Sequence, residues 1–357
     1  MPVVPVRTTL ALALVSTLAL GACGGPDEAP KQEPAGAPST EEPAPGESAT
    51  ALLEWRDTGV PAGTRYVKGA EWEALADARN TTVELARDGD AVPVAAGRGR
   101  TISEVLMSKQ WAVVVRQDTA ETAPSQAVAV DLATGEQRAL VSPEPASGGS
   151  WALTEGDLYY PTYGEGGAYC LATAALADGN GEDGWCAPAR SGFSGLTASE
   201  HGVGIMTFDD ARPVACRTVN LLDGSGLPQP VDGSTDCLGW DVVATADGVV
   251  WSEVPKPRRQ EEAVFHASVD GEVVDLGPGS TGTAIPCGDS VFFVRDPQGD
   301  DDPAQLMRWT PQHTLEVAYE SQSRGNAFLG EPACGGGVLT LASFGEAGDE
   351  HVWASVS

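Results

Sequence analysis

The side chains that could perform chemistry in this sequence are four histidines, seven cysteines and 51 acidic residues. Nucleophilic catalysis requires a nucleophile with a base close to it, yet no serine stands in a G-x-S-x-G elbow, and the nearest approach, at residues 192–195, breaks the spacing. Paired carboxylates could support glycoside hydrolysis, but acidic residues are so abundant that no pair stands out. The histidines are scattered, as His201, His266, His313 and His351. We therefore assign no catalytic residue from the sequence.

Two acidic loops carry the oxygen ligands that Ca²⁺ prefers. In residues 178–183, Asp178, Asn180 and Glu182 stand at alternate positions, and residues 296–302 form a second loop of this kind. The first loop departs from the EF-hand pattern, because it lacks the invariant glycine and no glutamate closes it. A solvated turn rich in Gly and Asp is the simpler interpretation of both loops. We expect no cofactor, and if Ca²⁺ binds, its ligands are expected to be Asp178, Asn180 and Glu182.

The N-terminus carries an export signal. Residues 1–7 hold one positive charge, and residues 8–20 form an uncharged apolar run that is too short to span a bilayer as a resident helix. The run leads into LGAC, ending at Cys23, which resembles the lipobox of bacterial lipoproteins, where small residues precede an obligatory cysteine. The resemblance implies a signal peptide of residues 1–22, a lipid on Cys23 and a location on the outer face of the cell membrane. The alternative is an ordinary secretory signal with an incidental cysteine.

A tether is expected after the lipidated cysteine. Residues 23–50 are rich in Pro, Glu, Ala, Gly and Ser and contain no aromatic residue. Such a chain cannot bury enough surface to offset the entropy of ordering, so we expect it to be disordered and to hold a folded body away from the membrane. The body is expected to comprise residues 51–357.

The net charge of −30 narrows the range of partners. A body this acidic repels nucleic-acid phosphates and anionic lipid headgroups. No nucleic-acid partner is therefore expected, and the lipid alone is expected to hold the protein at the membrane. We expect a monomer.

A short phrase recurs along residues 51–357. It is a turn of small or acidic residues, usually with a glycine, followed by an apolar run, as in TADGVVW at residues 245–251. Copies begin at residues 108, 154, 199, 245, 287 and 334, with a weaker copy near residue 67. Strand–turn–strand patterns follow several copies, at residues 81–95, 127–136, 264–276 and 306–319. Four strands in about 45 residues indicate a β-propeller.

Burial explains the repeat, because a four-stranded sheet can cover both of its faces only against neighbours around an axis. We expect an all-β fold, a β-propeller whose seven blades begin near residues 62, 102, 150, 195, 240, 281 and 328. The recurring Val, Phe, Tyr and Trp residues are expected to fill the space between blades. Six blades are the alternative if residues 65–72 are irregular. The last unit has only three strands, so residues 51–56 are expected to supply its outer strand and close the ring.

The six cysteines that remain after Cys23 fit this frame. An even number outside the cell predicts three disulfides, whereas zinc would favour C-x-x-C pairs, which do not occur. Many connectivities are possible. The frame favours two bonds within single blades and one between neighbouring blades, namely Cys170–Cys186, Cys216–Cys237 and Cys287–Cys334.

Residues 51–357 are similar in pattern to the β-propeller lipoproteins of high-GC Gram-positive bacteria, although the pattern lacks the signature motifs of known propeller repeats. Because one fold hosts many activities, two hypotheses follow. The first is a tethered binding or scaffold module whose partner is an envelope protein or a cell-wall polymer. The alternative is a hydrolase acting on glycans or lactones, with Ca²⁺ as a possible cofactor. Acidic residues from several blades meeting at the mouth of one channel would favour the enzyme.

Overall fold

The computed structural model describes residues 48–211, 215–256 and 259–356. Its regular structure is seven largely antiparallel β-sheets, together with two 3₁₀ turns, η1 (Glu165–Gly167) and η2 (Gln260–Glu262). Each sheet is one blade, which confirms the predicted all-β propeller with seven blades. The segment on which the six-bladed alternative depended forms regular strands, so that alternative is wrong. The predicted signal peptide, lipidated Cys23 and all but the end of the tether lie outside the described residues.

Two short strands, β1 (Ala49–Thr50) and β2 (Arg56–Asp57), precede the first blade. Blade 1 contains β3 (Tyr66–Lys68), β4 (Glu73–Ala76), β5 (Thr82–Arg87) and β6 (Asp90–Ala95). Blade 2 contains β7 (Arg100–Met107), β8 (Trp111–Asp118), β9 (Gln126–Asp131) and β10 (Gln137–Ala139). Blade 3 contains β11 (Ala152–Leu153), β12 (Asp157–Tyr163), β13 (Tyr169–Ala175) and β14 (Asn180–Cys186).

The remaining blades follow the same order. Blade 4 contains β15 (Ser191–Ser199), β16 (Gly202–Asp209), β17 (Cys216–Leu222) and β18 (Pro228–Pro230). Blade 5 contains β19 (Gly239–Ala244), β20 (Gly248–Glu253), β21 (Val264–Val269) and β22 (Glu272–Pro278). Blade 6 contains β23 (Ile285–Cys287), β24 (Ser290–Arg295), β25 (Pro303–Trp309) and β26 (Leu315–Arg324). Blade 7 contains β27 (Phe328–Leu329), β28 (Ala333–Cys334), β29 (Val338–Phe344) and β30 (Glu350–Ser355).

The N-terminal segment closes the ring. Strand β2 pairs antiparallel with β30, so blade 7 is built from both ends of the described chain, as predicted. The predicted closing segment was residues 51–56, and the closing strand β2 lies at its C-terminal end. The residues before β2 run along blade 6 instead. Strand β1 pairs in parallel with β26, and the Trp55 indole N–H donates to the Ala318 carbonyl at 2.8 Å. Strand β1 begins at Ala49, so regular structure begins inside residues 23–50, the segment predicted to be a tether.

Each copy of the recurring phrase forms the turn between the inner strand of its blade and the next strand. In blade 7, β27 and β28 both pair with β29 and together form the inner strand. In a four-stranded meander the turn between the third and fourth strands lies at the same end. We call the end of the propeller formed by these two sets of turns the turn face, and the end that carries the other loops the opposite face. The phrase therefore marks one face of the molecule.

The cores lie between blades, as the burial argument predicts. Apolar clusters join blades 1 and 2, 2 and 3, 3 and 4, 4 and 5, 5 and 6, and 6 and 7. Between blades 5 and 6 the rings of Phe265 and Phe293 stack with centroids 4.0 Å apart. Blades 7 and 1 meet through the His351 and Tyr66 rings at 5.4 Å. Each blade thus buries its apolar side chains against its neighbours.

The predicted disulfides are present. Cys170–Cys186 joins paired positions of β13 and β14 within blade 3, and Cys287–Cys334 joins the first strands of blades 6 and 7. Cys216–Cys237 links β17 of blade 4 to the segment that enters blade 5, so this bond is not confined to one blade. Because such bonds form and persist in oxidising compartments, they indicate an extracytoplasmic location.

Candidate functional site

A ring of first strands surrounds the axis of the propeller. The first strand of every blade contacts the first strand of the next blade, and blade 7 contacts blade 1 through β28 and β3. Side chains that leave this ring toward the axis lie in the central channel, where groups from different blades come close together.

Three acidic side chains and one arginine interact across this ring: Glu104 of β7, Asp241 of β19, Glu331 of blade 7 and Arg65, which immediately precedes β3. We call them the channel cluster. They come from blades 2, 5, 7 and 1. Glu331 is exposed, Glu104 and Arg65 are half-buried, and Asp241 is 7% exposed.

Irregular pairing at the inner strands presents these carboxylates. The register of β7 shifts between Ile102 and Glu104, and that of β19 shifts around Asp241. Glu331 lies in the break between β27 and β28, next to Pro332, which has no N–H to donate to a neighbouring strand. Bulges bend a strand and change the direction of its side chains, and they are frequent near functional sites.

The channel raises the pKa values of its acids. Burial is the largest cause for Glu104, followed by the negative charge of Glu331, and together they raise the pKa of Glu104 to about 8 against the opposing effect of Arg65. The protein atoms around Glu331 also raise the pKa of its carboxyl group by partial desolvation, although the residue as a whole is exposed, and Arg65 again opposes the rise. Strongly perturbed carboxyl groups in a concave site are candidates for function.

Asp241 has a structural role that the two glutamates lack. Its carboxylate accepts the Ser252 hydroxyl at 2.6 Å and the Gly282 N–H at 2.9 Å, which ties blade 5 to the segment entering blade 6. Burial raises the pKa of Asp241 to about 6, and these donors limit the rise. Within the described residues the carboxylates of Glu104 and Glu331 accept no hydrogen bond, and Arg65 has no carboxylate within 4.0 Å and leaves its buried Nε unpaired.

A concave site, the turn-face pocket, lies between blades 1 and 2. Its volume is about 470 Å³, within the range of small-molecule sites. Its wall residues come from the first turns of both blades, from the end of β5 in blade 1 and from the turn between β9 and β10 in blade 2. They include Trp72, Arg87, Lys109, Gln110, Trp111 and Asp131. Trp72 and Trp111 are 5% and 6% exposed. Trp72 packs in the apolar cluster between blades 1 and 2 and Trp111 in the cluster between blades 2 and 3, so both are held firmly at the edge of the pocket.

The charged side chains of the turn-face pocket differ in whether they have a partner among the described residues. The Arg87 guanidinium lies 4.6 Å from the Trp72 ring centroid and 3.6 Å from the Glu71 carboxylate. The Asp131 carboxylate accepts the N–H groups of Ala133 and Thr134 and so holds its own turn. In the part of the chain that the structure describes, the Lys109 ammonium has no acidic partner within 4.0 Å.

A third group, Glu200, His201 and Asp289, brings together three atoms able to ligate a metal ion within 4.8 Å of one another. It joins the phrase turns of blades 4 and 6, and all three residues are exposed. The imidazole of His201 lies 3.9 Å from the Glu200 carboxylate. Among the described residues this is the only such group of three His, Cys, Asp or Glu side chains.

The structure separates the other histidines. His313 lies 3.4 Å from Asp247 on the turn face, and His266 stacks near Trp251 within blade 5. Burial lowers the pKa of His351, which favours its neutral form. Distributed in this way, the four histidines do not share one site.

The predicted Ca²⁺ ligands occupy the hairpin between β13 and β14. The Asp178 carboxylate accepts the N–H of Asn180 at 3.1 Å, and Asn180 and Glu182 are exposed on β14. Binding of Ca²⁺ by these three residues stays a prediction.

Within the described ranges, no helix is long and apolar enough to cross a membrane. A scan against protein-family models finds no match for the chain, and a search of curated proteins finds no relative.

Solved structures share the fold. The β-propeller domain of the Trilobed protease from Pyrococcus furiosus, described as having an open velcro topology, aligns with a TM-score of 0.58 and 12% identity over 82% of this chain and 96% of that one. An acylaminoacyl peptidase from Pyrococcus horikoshii gives 0.54 and 12%, over 80% of this chain. This chain spans only half of that peptidase.

An oligogalacturonate lyase from Vibrio parahaemolyticus aligns with a TM-score of 0.53 and 13% identity, over 88% of this chain and 99% of the lyase. At such identities the likeness shows the fold and no activity. The chain is a seven-bladed β-propeller similar to those of peptidases and of an oligogalacturonate lyase.

Proposed function

We propose that the protein is an extracytoplasmic lipoprotein, anchored by Cys23 to the outer face of the cell membrane, whose propeller binds an envelope protein or a cell-wall polymer. The turn-face pocket carries this proposal. It combines a volume of about 470 Å³ with a lining of two largely buried tryptophans and several charged and polar side chains, and concave sites of this size hold small ligands or parts of larger ones.

Rigidity supports a role in recognition. Three disulfides brace the body, and the phrase turns that line the pocket are anchored by paired strands. The Ser108 hydroxyl accepts the backbone N–H groups of Gln110 and Trp111, which fixes the turn of blade 2. A site that is ordered before binding loses less entropy when its partner arrives.

Blocking the pocket tests the proposal. We expect Ala133→Tyr, at the exposed rim of the turn-face pocket, to abolish capture of the partner because the larger side chain fills the entrance. The purified Cys23→Ala protein is immobilised and incubated with envelope fractions of its host, and the bound protein and glycan are quantified.

The matched control is Ala347→Tyr, an exposed alanine in the loop between β29 and β30 on the opposite face. Equal capture by the two tyrosine variants would contradict recognition at the turn face. The anchor is tested separately, since Cys23→Ala should move the protein from the membrane to the soluble fraction after lysis.

A second candidate function, hydrolysis of glycans or lactones, is favoured by the channel cluster. Carboxylates from different blades meet there, and Glu104 has a pKa of about 8, suited to a general acid. The oligogalacturonate lyase has a propeller of matching extent, so a propeller of this size can belong to an enzyme that acts on a glycan.

Chromogenic glycosides and lactones provide the test of this second function. Hydrolysis by the wild type should fall at least about a hundredfold in Glu104→Gln and in Glu331→Gln, because loss of a general acid or base typically costs this much. Activity that survives both changes, or that is absent from the wild type, would rule out the channel cluster as the site.

A further inference from the structure

Three side chains on the turn face form a group whose chemistry neither proposed function uses. Glu200 and His201 lie in the turn between β15 and β16 of blade 4, and Asp289 lies in the turn between β23 and β24 of blade 6. One potential ligand atom of each residue lies within 4.8 Å of the other two. Because the two turns are far apart in the sequence, the fold itself brings these atoms together.

The contacts of the inner strands place the group near the axis. Blade 5 separates blades 4 and 6 in the ring, so their side chains meet on the axis side of blade 5. The inner strands β15 and β23 contact each other directly, and the two turns continue from the ends of these strands. The group therefore lies at the turn-face end of the central channel.

The backbone that carries the group is fixed on both sides. The Ser199 hydroxyl accepts the N–H of His201 at 3.1 Å and donates to the Ala244 carbonyl at 3.0 Å, which ties this turn of blade 4 to blade 5. Asp289 stands between the disulfide-bonded Cys287 and Ser290, each of which is 2% exposed. Side-chain rotation is therefore the main freedom left to the three residues.

Two negative charges face each other in this group without a cation from the protein. Among the residues that the structure describes, no lysine or arginine lies within 4.0 Å of the Glu200 or Asp289 carboxylate, and neither carboxylate accepts a hydrogen bond. The only charged partner is the imidazole of His201, 3.9 Å from Glu200. Like charges at this separation repel each other, and a bound cation would remove the repulsion.

The ligand atoms determine which cation fits. One imidazole nitrogen with two carboxylate oxygens suits Zn²⁺ and related divalent transition metals, whereas Ca²⁺ and Mg²⁺ prefer oxygen ligands alone. Such atoms lie about 2.0–2.2 Å from Zn²⁺ and hence about 3.5 Å from one another. Rotation of exposed side chains can close the remaining distance.

We propose that Glu200, His201 and Asp289 bind one divalent transition-metal ion at the turn-face end of the channel. Three protein ligands leave at least one coordination position for water or for an oxygen atom of a ligand. The proposal is independent of the functions proposed above, because none of the three residues belongs to the turn-face pocket or to the channel cluster.

Calorimetric titration with Zn²⁺ tests the site. The full chain carries Cys23→Ala, since a free thiolate would itself bind the metal, and the other six cysteines are in disulfides. We expect one ion to bind per chain. Loss of a group outside the ligand shell already weakens metal binding about 10–100-fold, so His201→Ala and Asp289→Ala should each weaken Zn²⁺ binding at least about tenfold.

The matched control is His313→Ala. His313 lies 3.4 Å from Asp247 on the same face, but this pair is not part of a group of three ligands, so the control should bind Zn²⁺ as the unsubstituted chain does. Electron paramagnetic resonance with one equivalent of Cu²⁺ should show coupling to an imidazole nitrogen in the control and lose it in His201→Ala. Circular dichroism confirms that each variant is folded.

The results distinguish a site from diffuse attraction to the acidic surface. If Zn²⁺ does not bind, or binds His201→Ala and the unsubstituted chain equally, the proposal is overturned. An equal loss in His313→Ala, or nitrogen coupling that persists in His201→Ala, would also overturn it, because another histidine would then be the ligand. Titration with Ca²⁺ should be unchanged by His201→Ala, since this ion gains little from a nitrogen ligand.

Discussion

Removing the disulfide between blades 6 and 7 should lower the free energy of unfolding by about 4 kcal/mol, as the chain-entropy model gives for a loop of this length. The bond Cys287–Cys334 spans 47 residues and joins the first strands of two blades. We expect the double variant Cys287→Ala/Cys334→Ala to show this loss in urea unfolding, with the two other disulfides left intact.

The shorter bond Cys170–Cys186 provides the comparison. It spans 16 residues within one hairpin, so the same model gives a smaller loss of about 3 kcal/mol for Cys170→Ala/Cys186→Ala. The order of the two losses is the sharper test, because it depends on loop length alone. A larger loss from the hairpin pair would show that local packing, not chain entropy, determines the contribution of these bonds.

The architecture could be read from the sequence because burial and turns act locally. Each phrase, such as residues 245–251, forms the first turn of its blade, since a glycine turn before an apolar run is favourable only where a buried strand begins. The three cysteine pairs could be predicted from the order of the strands in the blades. The position of Cys237 in the linker between blades 4 and 5 could not be predicted, because the ends of strands depend on contacts with the next blade.

The channel cluster could not be read from the sequence. Glu104 and Asp241 lie on inner strands at positions where the strand pairing shifts, and such shifts depend on partner strands rather than on the residues themselves. Among 51 acidic residues, composition gives no sign of which ones share a channel. The only local signal is Pro332, which marks the break in the inner strand that carries Glu331.

The sequence predicted the burial of the two tryptophans of the turn-face pocket but not the pocket itself. Trp72 and Trp111 stand in or next to phrase copies and were expected to fill the space between blades, which their burial confirms. That they also line a cavity depends on the distance between two blades. Sequence periodicity contains no information about that distance.

The shared location of the three turn-face features has a common origin. The pocket, the Glu200–His201–Asp289 group and the His313–Asp247 pair all lie on turns of the turn face. Turns present polar side chains to solvent, while the paired strands beneath them fix their positions. Paired strands can therefore hold several groups of polar side chains in fixed positions at one end of the propeller.

Replacing Glu104 by glutamine should stabilise the protein at alkaline pH. The folded-state pKa of Glu104 is about 8, against a reference value of 4.5. Below pH 4.5 the carboxyl group is protonated in both the folded and the unfolded state, so it makes no difference to stability. As the pH rises toward 8, the unfolded state releases the proton while the folded state retains it, and the wild type loses stability.

The loss reaches its full size above pH 8 and is then constant. A shift of this magnitude corresponds to at most about 5 kcal/mol, and because Glu104 keeps partial contact with solvent we expect about 3 kcal/mol. Glu104→Gln should therefore equal the wild type near pH 4 and exceed it by about 3 kcal/mol at pH 8.5, as measured by urea unfolding at both values.

The exposed Glu84 of β5 supplies the control, since Glu84→Gln should change stability by less than about 0.5 kcal/mol at either pH. A destabilised Glu104→Gln protein at pH 8.5 would mean that the carboxylate is needed for folding. The expected stabilisation would mean that the ionised carboxylate opposes folding. A group that the fold holds at a cost in stability is of the kind found in functional sites, and the second candidate function would then gain support.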